Sequence, residues 1–403
     1  MEQERFPYWQ RLVALFFGGW VMLYVNRTIL PPLMQTLREL WNLNQTQLGL
    51  INSLFFLMYT VLQIPAGILA DRYGRKHVLV PGYLIHGIGA ALGGFAGGFT
   101  SFMGARVLTG LFQGSYYAPH YSLATAEIPP HRRAGANAVM GSGAGFGIII
   151  GSTLASLLVF RWGWSWRSVF ILAGLFTVLL AMTMQLVVRD DRKSHQAVAS
   201  TNSVPTPSSH SIPKELWTIF IIGFCAMYGL FLILTWLPSY LTLARGFDRE
   251  TAGLLANIMP LATIPSAIFF GVVADRTGRR KLLLNLLLPV AALGLFLVMA
   301  APSRPVLYLG LALYGLSGKL VIDPMMSALV ASVTPAGAYG KVFGTFNFCG
   351  TVAMVLAPTL TGSLVDITGS FNSAFIVAIA FQMTAWLLSL RVKEASPEPV
   401  SAR

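Results

Sequence analysis

Long apolar runs alternate with short polar stretches along the whole 403-residue chain. Twelve runs can be drawn: 12–34, 46–70, 78–99, 102–126, 135–160, 167–188, 215–241, 251–274, 282–301, 306–333, 341–364 and 372–391. Each is about 20 residues long, the length that carries an α-helix across ~30 Å of hydrocarbon. Barrel strands would give shorter segments of period two. The pattern therefore predicts an all-α membrane protein with twelve transmembrane helices.

One segment breaks the rhythm. Residues 189–214, RDDRKSHQAVASTNSVPTPSSHSIPK, are polar and rich in Ser, Thr and Pro, as in a flexible linker. Six runs precede it and six follow. The expected organisation is an N-terminal six-helix bundle (1–188), a cytoplasmic linker (189–214) and a C-terminal six-helix bundle (215–403).

Composition supports the membrane reading. Only 11% of residues are charged and 55% are hydrophobic, whereas soluble domains carry roughly 25% charged residues. The net charge of +13 does not point to nucleic acid. With the N-terminus inside, nineteen of the 28 Lys and Arg fall on the cytoplasmic side, six outside and three within runs. That asymmetry is the positive-inside rule, and it places both termini in the cytoplasm. The first run is too long for a signal h-region and lacks a small-residue cleavage site. Cys225 and Cys349 both lie inside runs, so no disulfide framework is implied.

The halves repeat each other. GILADRYGRKHVL (67–79) recurs as GVVADRTGRRKLL (271–283), and GLFQGSYYAPHYSLA (110–124) as GLSGKLVIDPMMSAL (315–329). Gly110/Gly315, Pro119/Pro324 and Ser122/Ser327 stay in register. Such repeats mark secondary transporters, with substrate held near the membrane midplane.

The G-x-L-A-D-R-x-G-R-K run between runs 2 and 3 resembles the signature loop of the major facilitator superfamily, as does its degenerate copy between runs 8 and 9. RVLTGLFQG (106–114) resembles the span 4 motif. YVNRTIL, YYAPHYSLATAEIPPHRRA, WGWSWRSVFILAG, WLPSYL and DITGSFNSAF resemble the anion:cation symporter branch, which includes sugar-acid and organic-anion transporters. The resemblance implies two pseudo-symmetric bundles, alternating access, a small anionic substrate, proton symport and residence in the inner membrane. It also implies that Asp71, Arg72 and Arg75, with Asp275, Arg276 and Arg279 and with Glu127 and Arg132, gate the cytoplasmic side. The bland alternative is a solvated positive-inside cluster. Two positions depart from the branch. Asn26 stands where an acid usually precedes the span 1 arginine, and Gln113 where a glutamate usually follows the span 4 arginine. Both carboxylates are associated with proton coupling there.

Four ionisable residues fall within runs: Arg27, Arg106, Lys319 and Asp323. Each costs roughly 2.5–3.5 kcal/mol near the bilayer centre on insertion scales, so each needs a cavity or a partner. Their surplus is positive, which favours an anion. Tyr24 and Arg27 share a helical face with Trp20. An arginine fork can hold a carboxylate with two parallel bonds; the alternative for Arg27 is a structural bond. Arg106 serves substrate or coupling, or it snorkels outward. Gln113, Asn347 and Trp236 are further candidates for substrate contact, against the alternative of helix packing. Lys319 and Asp323 lie one turn apart. They form either a structural ion pair or a titratable switch in which substrate or a proton competes for one member, so both are candidates for proton coupling, with Lys319 toward the anion and Asp323 toward the coupling step.

His86 and His120 have no companion acid or Cys at ligand spacing, so neither metal nor cofactor is expected. No phosphate-binding G-x-x-x-x-G-K-[ST] loop exists, which argues against ATP. The expected partners are a small anion, a proton and the lipid bilayer; the expected state is a monomer. Two other functions stay open: drug or metabolite efflux by proton antiport, and a membrane sensor that binds without transporting.

Overall fold

The computed structural model describes residues 7–190, 212–334 and 339–392. Most of the expected linker and both chain ends lie outside them. Among the described residues there is helix and no strand.

The first eight helices are α1 (Tyr8–Thr28), α2 (Leu30–Trp41), α3 (Gln45–Tyr73), α4 (Arg75–Gly94), α5 (Phe99–Gln113), α6 (Tyr117–Glu127), α7 (Arg133–Ser156) and α8 (Trp166–Val187). The others are α9 (Lys214–Arg245), α10 (Arg249–Leu255), α11 (Ile258–Thr277), α12 (Arg280–Ala300), α13 (Arg304–Ser317), α14 (Lys319–Val333), α15 (Tyr339–Thr368) and α16 (Asn372–Ser389). Ten described helical segments are long and apolar enough to cross a membrane. The other two expected spans are α4, whose first residues are Arg, Lys and His, and the pair α5–α6.

That pair corrects the sequence expectation of a continuous fourth span. Pro119 sits in the first turn of α6 and has no N–H to offer the preceding turn, so the helix stops at Gln113 and restarts at Tyr117. The tenth span breaks as well, with Gly318 extended (ψ −174°) between α13 and α14. The first span bends between Thr28 and Leu30, where Pro31 and Pro32 withdraw two backbone donors.

The chain divides into two compact units. The first comprises residues 1–204 together with 241–257. Within it α4 packs on α8, α5 on α3 and α4, and α1 on α7. The α1–α7 approach is close because Gly143, Gly147 and Gly151 recur along α7: a Cβ on each would strike α1 at Phe17, Val21 or Thr28. Residues 241–257 belong here because α10 lies on α2 and α7. Ser152 donates to the Gly253 carbonyl (2.8 Å), Asn257 Nδ2 to Thr153 Oγ1 (2.8 Å), and Arg249 pairs with Glu39. Asp248 caps α10. The Thr251 N–H donated to it holds its carboxyl below the ordinary carboxylate range.

The second unit comprises residues 205–240 and 258–403. It repeats the pairings of the first: α12 on α16, and α13 on α11 and α12. Gly110 and Gly315 explain one of them. A Cβ on Gly110 would fall on the Phe55 carbonyl of α3, and one on Gly315 on the Met259 carbonyl of α11. The register glycines are therefore contact points between equivalent helices.

Candidate functional site

In the first unit the last turn of α1 meets the last two turns of α5. Arg27 Nε donates to Gln113 Oε1 (2.7 Å), and Arg106 Nη1 donates to the backbone carbonyl of Asn26 (3.0 Å). Gln113 Nε2 reaches the Leu23 carbonyl (3.4 Å), which fixes its oxygen toward Arg27. Each guanidinium is thus met by a neutral group, with no carboxylate of the described residues in contact.

Aromatic rings complete the surroundings. The Arg27 guanidinium lies 4.8 Å from the Tyr24 ring centre, 5.0 Å from Tyr59 and 5.4 Å from Phe56. Arg106 lies 4.3 Å from Phe55. Ring faces carry negative quadrupole density and attract cations. Arg27 keeps 9% of its surface exposed, whereas Arg106 keeps 2%, with Nε and Nη2 buried and unpartnered. Arg106 is therefore sealed inside rather than snorkelling outward.

Asn26 anchors a second layer. Its Nδ2 donates to the Met22 carbonyl (2.9 Å) and Thr177 Oγ1 (2.9 Å), and lies 3.4 Å from His86 Nε2. His86 Nδ1 faces the Thr109 carbonyl at 2.9 Å and must carry the ring proton, which leaves Nε2 as an acceptor for Asn26. Three acceptors thus surround the amide nitrogen, a setting that suits Asn and opposes Asp. In the sequence Asn26 stands out only as a departure, and His86, Thr177, Phe56 and Tyr59 carry no mark of the site. Contacts between different helices give single-sequence periodicity no signal. Trp20 sits nearly two turns before Asn26 on α1 and donates to His120 Nε2 (3.1 Å), beside Tyr116 and Tyr117.

In the second unit Lys319 begins α14 and pairs with Asp323 one turn on. The two ends differ in access: the Lys319 side chain is 3% exposed and that of Asp323 44%. The Phe346 ring lies 5.9 Å from the ammonium. Asn347 follows Phe346 and is exposed. Trp236 is elsewhere in this unit, fully buried, its Nε1 donating to the Pro358 carbonyl (3.0 Å) and its ring against Phe371. Those contacts are of the kind that packs helices together.

The signature-loop residues lie at helix ends. Asp71, Arg72, Asp275, Arg276, Arg279, Glu127 and Arg132 are exposed, and Arg75 is half-buried. Arg132 covers the Trp9 ring at 5.6 Å, and the neighbouring Lys76 donates to the Gln185 carbonyl (2.7 Å).

The Major Facilitator Superfamily profile matches residues 15–252 and 219–403. The chain is 27% identical to the probable sulfoacetate transporter of Cupriavidus necator, over 91% of this chain and 90% of that one. It is 26% identical to the hexuronate transporter of Bacillus subtilis, over 94% and 93%. The inward-open xylose transporter of E. coli superposes with a TM-score of 0.78 at 15% identity, covering 97% of this chain and 98% of that one. That likeness shows the fold. With the paired bundles, the repeated glycine contacts and the family match, the chain belongs to the major facilitator superfamily and is a multi-pass membrane transporter, not an enzyme.

Proposed function

We propose that the chain carries a small organic anion, a carboxylate or sugar acid, across the inner membrane by alternating access in symport with protons. The observation that carries this reading is Arg27. It is a mostly buried cation, ringed by Tyr24, Phe56 and Tyr59, whose hydrogen-bond partner is the neutral Gln113. A cation kept in a dry site without a counter-charge attracts an anion that supplies one. The names of the sulfoacetate and hexuronate relatives support an acid as cargo.

In this reading Arg27, Tyr24 and Gln113 contact the substrate, with Arg106 behind them. In the second unit Lys319 and Asn347 meet the substrate, and the half-exposed Asp323 is the proton site. Asp71, Arg72, Arg75, Asp275, Arg276, Arg279, Glu127 and Arg132 rearrange as the cytoplasmic side opens and closes. The working unit is a monomer with both termini cytoplasmic.

The test is uptake of labelled organic acids into vesicles holding the purified protein, with and without an imposed inward proton gradient. Accumulation of an anion that collapses with the gradient is the expected result. Transport of cationic dyes with no competition by organic acids would replace this reading with efflux. Binding without flux would replace it with sensing.

A further inference from the structure

We infer that Arg27 and Arg106 together form a fixed double-positive site that selects an anion bearing two negative charges over one bearing a single charge. The inference rests on the reading that the chain transports an organic anion, and it names the class of that anion.

The argument begins with charge. Asn26 and Arg27 are adjacent on α1, and Arg106 and Gln113 are two turns apart on α5. The bonds cross, so that Arg27 meets Gln113 and Arg106 meets Asn26. Amides and carbonyls satisfy donors but cancel no charge. Among the described residues of this unit the acids are Glu39, Asp71, Glu127, Asp190, Asp248 and Glu250, and none pairs with either arginine. Two buried cations therefore stand side by side without a counter-ion.

The two play different parts. Arg27 retains some exposure and can touch an anion, whereas Arg106 is covered by Phe55. Arg106 thus acts on a bound anion through its field, which is strong where the dielectric is low. A monoanion would neutralise one cation and leave the other; a dianion neutralises both.

No carboxylate among the described residues of this unit faces the pair. The titratable groups facing the pair are Tyr24 of α1, Tyr59 of α3 and His86 of α4. His86 is held with Nδ1 toward the Thr109 carbonyl and Nε2 toward the Asn26 amide. A second ring proton would meet the amide hydrogens. Asn26 cannot titrate, and the three acceptors around its nitrogen keep an amide there.

The experiment measures equilibrium binding to the purified full chain with two matched pairs: glucarate against gluconate, and sulfoacetate against ethanesulfonate. All four stay fully ionised between about pH 6 and 8. The dianion of each pair should bind about tenfold tighter, with a ratio unchanged across that range. Arg106→Gln should cut dianion affinity about tenfold and monoanion affinity only about threefold, because the field acts in proportion to charge; Arg106→Lys, which keeps the charge, should hold the preference. Gln113→Glu and Asn26→Asp should erase it, and Asn26→Asp should make the ratio vary with pH. Thermal melts screen out misfolded variants; if Arg106→Gln does not fold, the near-isosteric Gln113→Glu decides. Equal affinity within both pairs, or an equal loss for both anions in Arg106→Gln, overturns this inference while leaving anion transport standing. No binding by any of the four, with no flux in vesicles, removes both.

Discussion

The two halves break the same helix and resolve the charge beside the break in opposite ways. In the first, α5 ends at Gln113, and amides or carbonyls meet Arg27 and Arg106. In the second, α13 ends at Ser317, and Lys319 at the start of α14 receives a true counter-charge from Asp323. The break and the glycine contacts are common property, so the fold requires them. The charges differ, so they are free to carry function. The first half keeps an unbalanced positive site, and the second a balanced pair with one end half-exposed.

Arg27→Ala gives the largest expected effect on this comparison. It removes the more accessible member of the unbalanced pair and leaves Gln113 Oε1 without its donor. Charge-assisted bonds are worth about 1.5–3 kcal/mol, so kcat/KM for anion uptake should fall by roughly ten- to 150-fold. Initial-rate uptake at varied substrate checks it. A variant within twofold of wild type would mean that the cation serves helix packing alone.

Asp323→Asn probes the balanced pair. The amide can still accept from Lys319 but cannot take a proton or cancel its charge. Accumulation driven by a proton gradient should vanish, while substrate counterflow without a gradient should persist. Breaking a fully buried pair costs about 3–5 kcal/mol. Asp323 is half-exposed, but the Lys319 left without a counter-charge is buried, so the stability loss should lie between about 1 kcal/mol and that figure, which a thermal melt reads. Full gradient-driven accumulation would move coupling away from this pair.

Gly110→Ala and Gly315→Ala test what the halves share. Each new methyl would press on a backbone carbonyl, of Phe55 or Met259. Overpacking of this kind costs roughly 1–3 kcal/mol, and the two losses should match. A marked loss at only one site would show that the halves do not pack alike.

Much of this architecture was legible in the sequence, because lipid imposes length and apolarity on every span. The apolar runs, the repeat at 110–124 and 315–329, and the four interior charges follow from that constraint. The breaks were not legible. Gly114, Ser115 and Tyr116, like Gly318, are apolar enough to pass through a hydropathy window, and only the in-register prolines hinted at them. The partners of the arginines were also hidden. That Arg106 meets a backbone carbonyl of α1, or that His86 accepts from Asn26, depends on which helix faces come together. Placement of residues 241–257 with the first unit depends on bonds such as Ser152 to Gly253, which have no sequence signature.

Trp236→Phe should have the smallest effect, and it separates a candidate wall residue from a packing one. The indole is fully buried and spends its N–H on the Pro358 carbonyl, beside the Phe371 ring. Phenylalanine fills most of the volume but cannot donate. The loss of one neutral hydrogen bond predicts about 1 kcal/mol of destabilisation, together with an unchanged KM. Arg27→Ala, by contrast, should change uptake far more than stability, because Arg27 lies where the first half leaves its charge unbalanced. If Trp236→Phe instead raised KM several-fold without lowering the melting temperature, the indole would belong to the substrate path. The second half would then offer a recognition residue beyond the proposed Lys319 and Asn347.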